Sequence, residues 1–548
     1  MRALTLPDRE KLNLLGAQVR RLPTTGREAA VLWRANFLPL HRPDQAVYAL
    51  RALRHLGMLG ASITIAAHRD PHGLGLVDER GELTFGDLDR RSNALARAWQ
   101  RRGIDHTSVI ALLCRDHRGL VEAMFASGKV GATALLMNTG FAKPQFAEVC
   151  EREGVSALVY DIEFEDILGD VETSVPRYLG WVDDPASAPH ETLEELISAT
   201  DGAPLRRPAA PGGLTLLTSG TTGTPKGAPR HVSSPFAAAQ FMDRIPLRTG
   251  ERTFLGAPLF HGTGLSQFLL TMSLGSTTIL RRKFDPQITL EQLAKYRAEA
   301  LVVPTMLQRI LALGEDEIRS HDTSSLRVIF CAGSALLPEV GNRATELFGD
   351  VIYNLYGSTE VAVATVATPE DWKQAPGTVG RSPVGCIVQL YDEAGKRITA
   401  PGTVARVFVG SGLRFAGYTG GGTKDEIDGL LSSGDVGHFD AGGLLFIDGR
   451  DDDMIVSGGE NVFPAEVEGL LVEHPAVVDA AVIGVDDEDF GHRLKAFVVL
   501  RDGESLDADA VRAHVKSNLA RHKVPRDIDF VEELPRNATG KLLRGKLS

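Results

Sequence analysis

The stretch Leu214–His231, LTLLTSGTTGTPKGAPRH, sets an apolar run against a loop of glycines, hydroxyls and one ammonium. Thr218, Ser219, Gly220, Thr221, Thr222, Gly223, Thr224 and Lys226 fall within nine positions. Glycines let the backbone approach a ligand closely, and successive N–H groups with hydroxyls can wrap phosphate oxygens. The run GGLTLLT reads as a strand, so the loop hangs from a strand end, where ligands gather in α/β folds. It is not the Walker loop. Pro225 stands where that pattern needs its second glycine, and Gly227 where it needs Ser or Thr.

Outward from the loop, strand-like and helix-like segments alternate. SVIALLC, TALLMN and SALVYD read as strands between the helical patterns RGLVEAMFASGKVG and KPQFAEVCEREG, and strand signals recur at ALVVP, RVIFCAG and VIYNLYG. Such alternation predicts βα units around largely parallel sheets. After Pro401 the texture becomes Gly-rich and strand-like, and the C-terminal residues then read as a small α+β unit. The expected fold class is α/β: a large N-terminal domain of βα-layered sheets with a Gly-rich β-subdomain, and a small C-terminal domain. The boundaries read as a helical extension over 1–70, the large domain over 71–449 and the small one over 450–548, with the polar DGRDDD of Asp448–Asp453 as linker.

Composition limits the function. A chain of 548 residues, 43 % hydrophobic and 24 % charged, has room for several cores, and a net charge of −12 argues against a general nucleic-acid binder. Cys114, Cys150, Cys331 and Cys386 lack metal spacing and read as reduced core thiols of a cytoplasmic protein. The first residues lack the apolar run of a secretory signal, and Gly57–Ala67 is too short to span a bilayer. Leu120–Asn138 contains Glu122 and Lys129 and reads as a buried helix, a turn and a strand. From Met1 to His55 there are ten Arg/Lys against four Asp/Glu. There Val47, Leu50 and Leu53 recur at helical spacing, while Arg51, Arg54 and His55 face elsewhere. The expectation is a helix docked on the main body with a solvated basic face. The alternative is weak peripheral attraction to an anionic membrane at its inner face.

Further segments follow the opening loop: PLFHGTG at 258–264, CAGSALLPE at 331–339, YGSTE at 356–360, SGDVG at 433–437, GRDDDMIVSGGENVFPAEVE at 449–468 and LPRNATGKLLR at 534–544. In this order and spacing the chain resembles the adenylate-forming superfamily of acyl-CoA synthetases, peptide-synthetase adenylation domains and luciferases. Within it the general likeness is to fatty-acid–CoA ligases. The resemblance implies that a carboxylate attacks the α-phosphorus of ATP, magnesium pyrophosphate leaves, and the thiol of coenzyme A then takes the acyl group. It assigns the loop of Thr218–Lys226 to pyrophosphate, Glu360 to magnesium, and Thr359 to the α-phosphate. Gly333, Ser334, Ala335, Tyr356 and Gly357 would border the adenine. Asp435 would accept the ribose hydroxyls, with Arg450 supporting ribose or phosphates. Lys541 would stabilise the α-phosphate as the carboxylate attacks, and His261 would line the acyl tunnel. Ser457, Gly458 and Gly459 would admit pantetheine, and Asp452 would be the hinge that rotates a mobile small domain.

Plainer readings stand beside these. YGSTE also reads as a strand-to-helix turn capped by Ser358 or Thr359, Asp435 as a turn residue, Lys541 as a solvated charge, and His261 as a turn histidine satisfied by backbone. The chain departs from the family pattern at GLLSSGD, which lacks a preceding tryptophan, at Gly491-His492, and at His522 in RHKVP. These bear on coenzyme A contact more than on adenylation. Uncharged runs after His261 imply a medium or long fatty acid. A ligase loading a carrier-protein phosphopantetheine and a silent nucleotide-binding scaffold remain as alternatives.

Overall fold

Runs of Val, Ile, Leu and Ala that are apolar at every position form strands buried on both faces, as parallel sheets covered by helices require. Ala157–Asp161 and Val328–Ala332 are buried along their whole length. The computed structural model describes residues 26–35, 37, 42–172, 174–218, 226–229, 238–303, 306–358, 360–413, 424–451, 453, 455–457, 460–487, 491–536 and 542–547.

Two mainly parallel sheets carry the large domain. The eight-stranded one runs Thr365–Ala367, Ile352–Tyr356, Val328–Ala332, Ala300–Val302, Arg252–Leu255, Thr277–Leu280, Leu74–Asp78 and Gly81–Thr84, antiparallel only at its two edges. The six-stranded one runs Arg177–Trp181, Ala157–Asp161, Val109–Leu113, Thr133–Leu136, Gly213–Thr218 and Lys226–Pro229. The helix Arg118–Val130 is buried on nearly every side, and one apolar core joins its residues to both sheets. Its charges are partnered as burial demands. Arg91 Nε donates to Glu122 Oε1 at 2.5 Å, and Lys129 Nζ donates to Asp89 Oδ1, Ser92 Oγ and Asn93 Oδ1 at 2.7–2.8 Å. Gly131, left-handed at φ 86, ends the helix before Thr133–Leu136, giving the expected helix, turn and strand.

An antiparallel sheet follows, built from Ile387–Tyr391, Arg397–Ile398, Ala405–Gly410, Glu426–Ile427, Leu430–Phe439 and Leu445–Arg450. Asp448–Arg450 is strand rather than linker, because its polar side chains find cross-strand partners. His438 Nδ1 lies 2.8 Å from Asp448 Oδ2, and Arg450 pairs in register with Asp435. A five-stranded C-terminal sheet with helices Pro464–Val472 and Ala508–Asn518 has its own core around Val467, Val482, Val498 and Val511. The α/β class, with a large N-terminal and a smaller C-terminal unit, is therefore as expected. No described helix is long and apolar enough to cross a membrane.

The N-terminal helix Pro43–Arg69 corrects one expectation. Gly57 within it has φ 68 and ψ −173, and the ring of Tyr48 stacks on that of His68 with centroids 3.8 Å apart. Twenty residues of straight helix would hold those rings about 30 Å apart. The chain has therefore reversed at Gly57 into a helical hairpin. The second arm buries Leu59, Ala61, Ile63 and Ala66 and crosses Arg118–Val130 so closely that a Cβ on Gly128 would lie 2.3 Å from Gly60 N. In the first arm Val47, Leu50 and Leu53 are exposed and Ala52 is buried, while Ala46 and Ala49 meet Ile65 and His68 of the second. Tyr48 with Ala46 and Ala49, not the leucines, turns toward the second arm.

A Cβ on Gly57 would meet Gly212 O at 2.5 Å, and its φ lies in the left-handed region. Gly57→Ala is expected to lower the unfolding free energy by about 1–3 kcal/mol, read as a lower urea midpoint.

Candidate active site

The site assembles at the C-terminal ends of neighbouring parallel strands, the edge where α/β sheets gather ligands. Ile352–Tyr356, Val328–Ala332, Ala300–Val302 and Arg252–Leu255 lie side by side, and their outgoing turns carry Gly357–Glu360, Gly333–Ala335 and the approach to His261. Gly333 leaves its strand at φ 87, and Gly333, Ser334 and Ala335 are exposed there, beside the strand that ends in Tyr356.

YGSTE is a tight turn without a following helix. Ser358 Oγ donates to Glu360 Oε2 at 2.8 Å and accepts from the N–H groups of Glu360 and Val361 at 3.2 and 3.4 Å. Ser358 thus satisfies backbone donors as an N-cap would, yet the next element is the strand Thr365–Ala367. The chain doubles back because Ala362 N donates to Ser358 O and Ala364 N to Tyr356 O, with Ala362 at φ 61. A Cβ on Gly357 would lie 1.8 Å from Ala362 O, so only glycine fits.

This turn meets the antiparallel sheet at Asp435. Tyr356 Oη donates to Asp435 Oδ2 at 2.5 Å, Arg450 Nη1 donates to Asp435 Oδ1 at 3.1 Å, and Asp435 N donates to Ser433 Oγ at 3.1 Å. Burial raises the Asp435 pKa against the opposing pull of Tyr356 and Arg450. Burial, then the charge of Asp435, lifts the Tyr356 phenol well above its ordinary value, so it stays a donor. The structure therefore brings Tyr356, Asp435 and Arg450 together around one buried carboxylate, with Gly357 and Glu360 on the turn that follows Tyr356.

His261 precedes the helix Gly262–Ser273, which a Cβ on Gly264 would displace by clashing with Pro258 O at 2.2 Å. Its backbone N–H donates to Pro258 O, but its Nε2 is buried without a hydrogen-bond partner among the described residues. The reading of a turn histidine satisfied by backbone therefore fails. Burial alone presses its pKa down to about 4. Asp116, which sequence reasoning passed over, supports this loop: its Oδ1 accepts from Leu259 N at 3.0 Å, and burial raises its pKa to about 7. The available signal was an acid three residues after the end of the apolar strand Val109–Leu113.

Thr218 and Lys226, which flank the loop of the opening motif, lie opposite each other in antiparallel strands at a sheet edge. Ser219, Gly220, Thr221, Thr222, Gly223 and Thr224 lie outside the described residues, as do Thr359, Asp452, Gly458, Gly459 and Lys541, and for Thr218, Lys226 and Ser457 only the backbone is described. Glu360 and Ser358 offer hard oxygen atoms of the kind magnesium takes. A second cluster, Cys114, His117 and Asp161, is buried, but His117 already uses both ring nitrogens, Nε2 at 2.8 Å from Asp161 Oδ1 and Nδ1 accepting from Gly119 N. It caps the helix Arg118–Val130.

The AMP-binding enzyme family model matches residues 63–419, and the model of the AMP-binding enzyme C-terminal domain matches 466–541. The chain belongs to the AMP-binding enzyme family. It is 32 % identical over 482 residues to an indoleacetate–CoA ligase of Aromatoleum aromaticum, covering 84 % of this chain and 92 % of that one. It is 31 % identical over 501 residues to a feruloyl-CoA synthase of Amycolatopsis sp., covering 89 % and 98 %. Among solved structures, the o-succinylbenzoate CoA synthetase of Bacillus subtilis in complex with ATP and magnesium superposes with a TM-score of 0.77 at 26 % identity, covering 89 % of this chain and 98 % of that one. In this AMP-binding enzyme the segments holding Tyr356, Asp435 and Arg450 thus meet at one carboxylate.

Tyr356→Phe strips the hydroxyl donor from buried Asp435 and is expected to reduce the unfolding free energy by about 1–3 kcal/mol, measured by urea denaturation at neutral pH. The His261 imidazole is expected to titrate near pH 4 by NMR. Its folded pKa lies below the ordinary 6.5. Its contribution to stability is therefore complete above about 6.5 and is lost as pH falls toward about 4. His261→Asn should remove that dependence.

Proposed function

We propose that this enzyme joins an apolar carboxylic acid, preferentially an aromatic one, to coenzyme A through an acyl-adenylate. It is an AMP-forming acid–thiol ligase that uses ATP, magnesium and coenzyme A. In the first step a carboxylate oxygen bonds the α-phosphorus of ATP and the bond to pyrophosphate breaks. In the second the thiol sulfur of coenzyme A, its proton lost to solvent, bonds the acyl carbon and AMP leaves. Positioning and charge neutralisation supply most of the catalysis in phosphoryl chemistry of this kind.

The observation that carries the substrate reading is the uncharged setting of His261. Its pKa is depressed by burial alone, with no charge among the described residues acting on it, and Phe260, Leu265, Phe268 and Leu269 around it are buried apolar side chains. No described charge acts on His261 itself, and Asp116, which holds this loop, accepts from Leu259 N. The relatives that act on indoleacetate and ferulate favour an aryl group. The apolar helix Gly262–Ser273 also suits a medium or long fatty chain, which is the second reading.

In this scheme the buried Asp435, oriented by Tyr356 and Arg450, accepts the ribose hydroxyls, and Gly333–Ala335 border the adenine. Glu360 with Ser358 would hold magnesium, which neutralises phosphate charge when bound. The loop of Thr218–Lys226 grips the departing pyrophosphate, and Thr359 and Lys541 meet the α-phosphate. Rotation at Asp452 then exchanges Lys541 for the Ser457–Gly459 segment that admits pantetheine. A separate reading, supported by the basic N-terminal residues, is weak contact with an anionic membrane at its cytoplasmic face.

ATP–pyrophosphate exchange with indoleacetate, ferulate, dodecanoate and acetate, followed by acyl-CoA formation, tests this. The aryl acids should give the highest kcat/KM and dodecanoate the next, while Lys541→Ala should abolish exchange yet still convert supplied acyl-adenylate and coenzyme A. Preference for acetate would refute the substrate reading. Exchange with transfer only to a phosphopantetheine carrier protein would refute coenzyme A as acceptor, and absence of exchange with all acids would indicate a silent scaffold.

A further inference from the structure

The first arm of the N-terminal hairpin is amphipathic in the reverse sense. Alanines face the body of the protein, and the large apolar side chains Val47, Leu50 and Leu53 face outward, 48 %, 53 % and 39 % exposed. Of the eight large apolar side chains exposed among the described residues, four lie between positions 33 and 53, the fourth being Trp33. Spacing of three residues puts Val47, Leu50 and Leu53 along one helical face, and Arg51 and Arg54, at four and seven residues from Val47, border it rather than facing elsewhere as expected above. Both arginines are exposed, and neither forms an ion pair with a described residue.

The fold adds a third cation from far along the chain. The turn at Gly57 touches Gly212, which brings the segment of Arg206 and Arg207 to the hairpin. After burial, the charges of Arg207, Arg54 and Arg51 hold the His55 imidazole below its ordinary pKa, so the three guanidiniums act on one spot. A protein with a net charge of −12 therefore gathers unpaired positive charge beside its exposed leucines. An apolar stripe bordered by arginines is the arrangement by which a helix lies in the plane of an anionic bilayer, leucines among the acyl chains and guanidiniums at the phosphates. An acidic protein partner would answer the charge, but a single stripe of exposed leucines on one helix, among the described residues, offers it little to pack against.

Resting on the reading of weak membrane contact, we infer that the outer face of this arm inserts Val47, Leu50 and Leu53 into an anionic lipid surface, with Arg51, Arg54 and Arg207 on the headgroups. Contact there presents the enzyme to acids dissolved in the bilayer.

Co-sedimentation of the full chain with vesicles of phosphatidylcholine, with and without phosphatidylglycerol, tests this. Binding is expected only with phosphatidylglycerol, falling as salt rises. Leu50→Glu with Leu53→Glu should abolish it while leaving acyl-CoA synthesis in vesicle-free buffer unchanged. Arg51→Gln, Arg54→Gln and Arg207→Gln should each weaken it by about fivefold. If the arginine variants weaken binding and the leucine variant binds as well as the parent, insertion is refuted while charge-driven contact stands. Absence of binding to either vesicle refutes both. A dimer in sedimentation velocity that the glutamates dissolve assigns the face to a second copy and overturns the inference.

Discussion

The hydrogen bond from Tyr356 to Asp435 joins two sheets of different construction. Tyr356 ends a strand of the parallel sheet, and Asp435 lies within the antiparallel one. A buried carboxylate is costly without partners, so the position of each sheet is constrained by the need to supply them. Tyr356 comes from one side and Arg450 from the neighbouring strand on the other. The joining of the two sheets and the proposed ribose contact thus fall on one group.

Around that link, each motif does a local backbone task that also places a chemical group. Gly357 permits the contact with Ala362 that turns the chain back, and the turn carries Glu360. Gly264 permits the approach to Pro258 that starts an apolar helix, and the start of that helix carries His261. Asp116 holds the same loop from a different sheet through Leu259 N. Burial presses the His261 pKa down to about 4, so at neutral pH its ring is uncharged in an apolar setting.

The N-terminal hairpin stands apart from this economy. Its second arm is part of the main core, reaching Gly128 of the most deeply buried helix. Its first arm packs by alanines and leaves leucines outside. Helical periodicity alone places apolar residues on one face but does not say whether that face turns inward. The turn at Gly57 decides it, because it folds the first arm back so that Tyr48 meets His68 of the second and Leu50 and Leu53 are left outside.

Much of the site was legible in the sequence because phosphate and nucleotide chemistry constrains local strings: glycines where a Cβ cannot fit, hydroxyls beside them, and acids at fixed offsets. The strand before the Thr218–Lys226 loop, the parallel βα layers and the helix over Glu122 and Lys129 followed from composition and period. What remained hidden depends on residues distant in the chain. The pairing of Asp435 with Tyr356 spans 79 positions, and that of Asp116 with Leu259 spans 143. Strand character at Asp448–Arg450 came from cross-strand partners that a polar string does not reveal, and the outward face of Leu50 and Leu53 from a chain reversal at one glycine. Local backbone geometry is written in neighbouring residues. Which side chains become buried, paired or exposed is settled only when separate segments meet, because burial and hydrogen-bond satisfaction belong to the whole packed chain.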